Sequence, residues 1–196
     1  MTKRTLIRVA ICAVILLGIT AYVIATLPDV KPGDGLPHAS VYLTAWLAFL
    51  FWFLTELRRL RGREDGTARV LSLTGLVFLV EHNFVVLHGL FEWSMPAAYD
   101  FIAKQGGFGP GLYVNFAVVG LWAFDWLTIG RRSTWYTKVN RLAIAFVLFN
   151  ATVVFALTWI RYPAAIAFAW LVVEWIRRQI NRSTTAQTDS DRNRPG

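Results

Sequence analysis

Cysteine is nearly absent from this sequence. The one thiol, Cys12, sits inside an apolar run, which rules out an intrachain disulfide and any CxxC metal or redox pair. Charge is scarce too: 16% of the 196 residues are charged, against roughly a quarter in ordinary soluble domains. Histidine is limited to His38, His82 and His88, with no HxxxH pair. His38 and His88 fall near the same end of neighbouring apolar runs, but the spacing is poor for a metal or haem site and neither is expected. The glycine run ahead of Gly111 lacks a Walker lysine, so it reads as a turn and not a phosphate loop. No nucleophile–base pair or cofactor motif can be read, so no catalytic residue or cofactor is expected.

Apolar residues are what the chain does have, at 56%. A soluble domain of this size could not bury them all, whereas a bilayer can solvate the excess. The apolar runs cover residues 6–27, 39–57, 70–91, 111–130, 142–160 and 163–176, each closed by turn residues or arginines. Most are long enough as helices to cross a hydrocarbon core of about 30 Å. The last reaches only about 21 Å, so Trp159 and Tyr162 are needed at its interface to complete it. The sequence therefore predicts an all-α fold, one bundle of six transmembrane helices. Residues 183–196 are polar and predict a disordered tail.

The net charge of +8 has a topological reading. With the N-terminus placed in the cytoplasm, 17 Lys and Arg fall on the inner side and 3 (Lys31, Lys104, Arg161) on the outer side. This split predicts a multi-pass protein of a cell inner membrane with both termini cytoplasmic. Nucleic acid is not an expected partner, because the basic clusters sit between apolar runs. The expected partners are the lipid bilayer and either a membrane protein or a second copy of the chain. Segment one also has features of a signal peptide, though its apolar stretch is long for one.

Polar residues inside the apolar runs need a reason. Glu56 with Arg59, and Glu174 with Arg177 and Arg178, have helix-neighbour spacing and predict surface pairs at the wet interface. Glu81 has no basic residue three or four positions away. His88 lies seven residues on, so Thr74, Glu81, His88 and Glu92 predict one polar seam along a helix. Asn115, Asp125 and Asn150 on other runs are its candidate partners. Glu81, His88, Asn115, Asp125 and Asn150 thus form the candidate intramembrane polar site. Two readings stay open: packing glue, or a path for an ion, proton or small ligand; a third, a membrane enzyme or redox subunit, has less support in the residues. Between the third and fourth runs, Ser94 before Met95-Pro96 predicts the start of a short outer helix.

From His88 through Glu92-Trp93-Ser94, Ala97-Ala98-Tyr99 and Gly109 to Tyr113-Val114-Asn115, Trp122 and Asp125, the chain resembles uncharacterised multi-pass membrane proteins of bacteria. The stretch covers roughly a quarter of the chain. The resemblance implies an inner-membrane location and supplies no activity. Met95 stands where those proteins often carry a further histidine, which weakens a metal reading.

Overall fold

The computed structural model describes residues 3–26, 39–106, 108–128, 134–154 and 158–192. Every regular element among them is helical. They are α1 (Lys3–Thr26), α2 (Ala39–Leu60), α3 (Gly66–Val85), α4 (Met95–Gly106), α5 (Gly111–Leu127), α6 (Thr134–Phe149) and α7 (Thr158–Arg192). Short π-helical turns, Val86–Leu90 and Asn150–Val154, extend α3 and α6. Two helices, Val41–Leu60 and Gly66–Leu90, are long and apolar enough to cross a membrane, and the shorter Gly111–Leu127 is also apolar.

The α2–α3 hairpin has clear local causes. α2 stops because Gly62 takes φ +74°. That conformation brings the Gly62 N–H to the Arg59 carbonyl at 3.0 Å and the Arg63 N–H to the Arg58 carbonyl at 2.9 Å. This is a Schellman close, and glycine adopts it without steric cost. Three residues on, the Asp65 carboxylate accepts the Ala68 N–H at 3.0 Å and caps α3. Arg58 reaches back across the turn to the same carboxylate at 2.5 Å.

Slight burial works against ionisation of Asp65, but the Ala68 N–H and the Arg58 guanidinium outweigh it and hold the carboxyl below its ordinary value. A depressed folded pKa gives stability that is full above the unfolded value of about 4 and is lost as pH falls through the folded one. Asp65→Ala is expected to lower stability by about 1 kcal/mol at neutral pH, the usual worth of a cap. The Tm values of the two proteins, measured in detergent, should converge in acid.

Side-chain pairs fix the helix directions. Thr20 bonds Glu81, and Cys12 meets Thr74, so α1 runs parallel to α3. Phe51 stacks on Phe78 at 5.7 Å, and His82 bonds the Val41 carbonyl, so α2 is antiparallel to α3. Trp122 bonds Ser72, and Trp126 bonds the Arg69 carbonyl, so α5 is also antiparallel to α3. Asn140 bonds the Leu121 carbonyl, which sets α6 against α5. Phe168 meets Phe49, and Arg61 meets Glu174, so α7 runs with α2. The core gathers Phe49, Phe51, Trp52, Phe78, Trp122 and Leu148 between these helices. α4 starts after Ser94, whose hydroxyl accepts the Ala97 N–H at 3.3 Å, as the sequence predicts. It packs Ala98 against Leu87 and Leu112 at the far end.

Three boundaries differ from the sequence reading. α6 begins at Thr134, not at residue 142, because two amphiphilic turns bearing Lys138 and Arg141 extend the helix beyond the apolar run. α7 begins at Thr158 and carries Pro163 inside it. Its apolar part therefore starts before Arg161, and the short final run gains about a turn and a half. α7 also continues to Arg192, through most of the polar stretch predicted as a tail. Helix propagation needs only one bond per added residue, and no glycine or proline interrupts this stretch.

Candidate functional site

The five candidate residues do not converge. None of them hydrogen-bonds to another. Glu81 is half-buried on α3, where its Oε1 accepts from the Thr20 hydroxyl of α1. Its Oε2 is buried and has no hydrogen-bond partner. His88 is exposed and lies beside the paired rings of Phe84 and Trp93, with centroids 5.9 Å away in each case. Asn115 is half-buried on α5. Asn150 turns back on its own helix and donates to the Phe146 carbonyl at 2.7 Å. Thr74 likewise bonds the Val70 carbonyl, at 2.9 Å.

The seam fails for a local reason. It assumes that an α-helical period holds from Thr74 to Glu92. The π-helical turn Val86–Leu90 winds more residues into each turn, so His88 leaves the face that carries Glu81. The turn closes with the Trp93 N–H on the Leu87 carbonyl at 2.8 Å, and Glu92 and Trp93 have φ of 46° and 64°. Glu92 is exposed there. His82, which the seam left out, is the histidine that joins helices: its Nδ1 donates to the Val41 carbonyl at 3.0 Å.

Asp125 belongs to a different constellation. It is 1% exposed on α5, yet has a cation from another helix: Arg59 Nη2 lies 3.1 Å from its Oδ2. Asn140 of α6 donates to its Oδ1 at 3.2 Å. Arg59 also reaches Glu56 at 2.6 Å and stands 3.6 Å from Glu64. Glu64 in turn accepts from Arg141 of α6 at 2.7 Å. On the α7 side, Glu174 accepts from Arg61 at 3.0 Å. Arg178 closes the end of α2 by donating to the Arg59 and Leu60 carbonyls at 2.8 and 2.9 Å.

This node corrects the reading of Glu56 and Arg59 as a surface pair. They do bond, but their side chains are only 12% and 5% exposed. Desolvation makes each charge there costly unless it is paired, and Arg59 is shared among three carboxylates. A guanidinium suits that position, because its planar fork offers five donors. Sequence reasoning missed Asn140 and the bond of Arg59 to Asp125. The available signal was depth: Asp125 and Arg59 are opposite charges near the same end of neighbouring runs. Chemically the node is a clamp. It fixes α2, the turn before α3, α5 and α6 at one end, and it presents no nucleophile.

Among the described residues, no three His, Cys, Asp or Glu side chains come together as a metal site would require. His38 lies outside the described residues. No protein family, curated protein or solved structure matches this chain.

Proposed function

We propose that this chain is an integral membrane protein with six spans in a cell inner membrane and both termini cytoplasmic, and that its intramembrane polar residues serve packing and assembly. The observation that carries this reading is the buried Arg59–Asp125–Asn140 node. It consumes the costliest charges in helix-to-helix bonds and leaves them no open face. The helix directions support the topology. They gather Arg58 to Arg69, Lys138, Arg141, Arg177 and Arg178 at one end, together with the N-terminal end of α1. Outward side chains such as Val14, Leu142, Phe146 and Ile166 are 67–72% exposed, which suits lipid or another membrane protein and not water. The assembly partner is a second copy or another membrane protein.

Reporter fusions test the topology. Those placed after Arg63, Lys104, Arg132 and Arg182 are expected to read in, out, in and in. An outside signal from the Arg182 fusion would remove α7 as a span.

A second reading is favoured by one observation, the unpartnered Oε2 of Glu81. It makes Glu81 a proton or cation site. Under the packing reading, Glu81→Gln keeps an oxygen for Thr20 and changes stability by less than about 1 kcal/mol. Glu81→Leu loses the α1–α3 bond and falls by about 1 kcal/mol. Under the second reading, the wild-type Tm shifts with sodium or pH and the Glu81→Gln Tm does not. A sodium- or pH-dependent shift that Glu81→Gln removes would displace the packing reading.

A further inference from the structure

A groove of about 350 Å³ opens between α1, α2 and α3, close to the Arg59 node. Its walls are apolar: Ile11 of α1, Leu54 and Leu57 of α2, and Val70 and Leu71 of α3. Arg58 and Arg61 stand at one end of it. The volume is within the range of small-molecule sites, roughly 300–1,000 Å³. From Leu54 to Arg58 is four residues of α2, so the apolar wall runs about 6 Å along the helix before the arginines begin.

We infer that this groove binds one anionic phospholipid, with an acyl chain along the apolar walls and the headgroup phosphate at Arg58 and Arg61. Charge complementarity selects the occupant. This end of the bundle gathers nine Lys and Arg (Arg58 to Arg69, Lys138, Arg141, Arg177 and Arg178) against five carboxylates (Glu56, Glu64, Asp65, Asp125 and Glu174), so cationic charge is in excess there. Arg58 spends one amino group on Asp65, and its side chain keeps 21% of its surface exposed. Arg61 meets Glu174 through its Nε, and its side chain is 46% exposed. A phosphate oxygen satisfies such guanidinium donors, and a neutral headgroup adds no net charge to offset the excess. The inference rests on the membrane reading, since it places this end of the bundle at the cytoplasmic headgroup layer.

The test uses the full chain purified in a neutral detergent. Its Tm is measured with added phosphatidylglycerol, phosphatidylcholine or inorganic phosphate. Phosphatidylglycerol is expected to raise the Tm and to remain bound in native mass spectra, while the other two leave it unchanged. An equal rise with phosphatidylcholine, or a rise with inorganic phosphate alone, would overturn the assignment. So would a dimer that buries the groove and ignores added lipid. In Arg58→Gln/Arg61→Gln, phosphatidylglycerol affinity should fall at least tenfold. Should that variant fail to fold, Leu71→Trp fills the groove without touching a charge and should abolish the lipid-dependent rise. Retained binding in Leu71→Trp would overturn the proposal. Reporter topology is read separately in cells, so a misplaced span and a groove without lipid preference give different failures.

Discussion

Arg59→Met is expected to destabilise the protein by roughly 3–5 kcal/mol, because it removes one partner from a buried ionic cluster. Asp125 is then left 1% exposed with Asn140 as its remaining named partner. Glu56, 12% exposed, loses a bond of 2.6 Å. Asp125→Leu should cost less, because Arg59 keeps Glu56 and stays near Glu64. The double variant Arg59→Met/Asp125→Leu should recover part of the loss. Two apolar side chains packed in place of a buried ion pair are often neutral or stabilising. The coupling between the two sites should therefore exceed about 1 kcal/mol. Denaturation of the four proteins in one detergent measures it. Simple additivity, or an Arg59→Met protein as stable as wild type, would mean that the node is only a surface pair. The prediction bears on function as well. A charge cluster that carries stability is held shut, while one that carries ions must open.

The helices were legible wherever the signal runs along one segment. The start of α2 at Ala39, the basic end of α2 and the Ser94 start of α4 all follow from local composition and capping. The all-α class follows from the length of the apolar runs. The starts of α6 and α7 were not legible from hydropathy. A helix does not start where an apolar run starts, so Lys138 and Arg141 fall inside α6 even though they precede the run. Pro163 reads as a helix start, but it lies inside α7, where the missing N–H leaves one i→i−4 bond unmade.

Pairing between helices was the harder part. Searching three and four residues to either side finds Glu56 for Arg59, and it can never find Asp125, which is 66 residues away. Glu81 posed the same difficulty, since its partner Thr20 is 61 residues away. The polar seam failed on a finer point. A single π-helical turn moves His88 off the face, and no residue type in Val86–Leu90 announces that turn. What the sequence did mark correctly is which residues need explaining. Glu81 and Asp125 both turn out to bond across helices.

Trp122→Ala is expected to cost about 3–5 kcal/mol, the usual loss for a buried tryptophan. Trp122 is 2% exposed and joins α5 to α3 twice over. Its indole N–H donates to the Ser72 hydroxyl at 2.9 Å. Its six-membered ring lies over Gly75, where the missing side chain lets it approach the α3 backbone. A Cβ at residue 75 would stand 2.9 Å from Trp122 Cζ2 and 3.1 Å from Phe51 Cβ. Neither neighbour can swing aside, since Phe51 is itself 5% exposed and stacked on Phe78. Gly75→Ala should therefore lose about 1–3 kcal/mol to overpacking, less a gain of up to about 1 kcal/mol in helix propensity. The pair gives a test that reverses sign. Trp122→Phe removes the ring atoms that crowd residue 75 and leaves a void beside it. In that background Gly75→Ala fills space and gains helix propensity, so it should raise the Tm that it lowers in the wild type. If Gly75→Ala lowers the Tm equally in both backgrounds, α3 and α5 do not meet at this point, and the packing that sets the Arg59 node opposite Asp125 would have to be rebuilt.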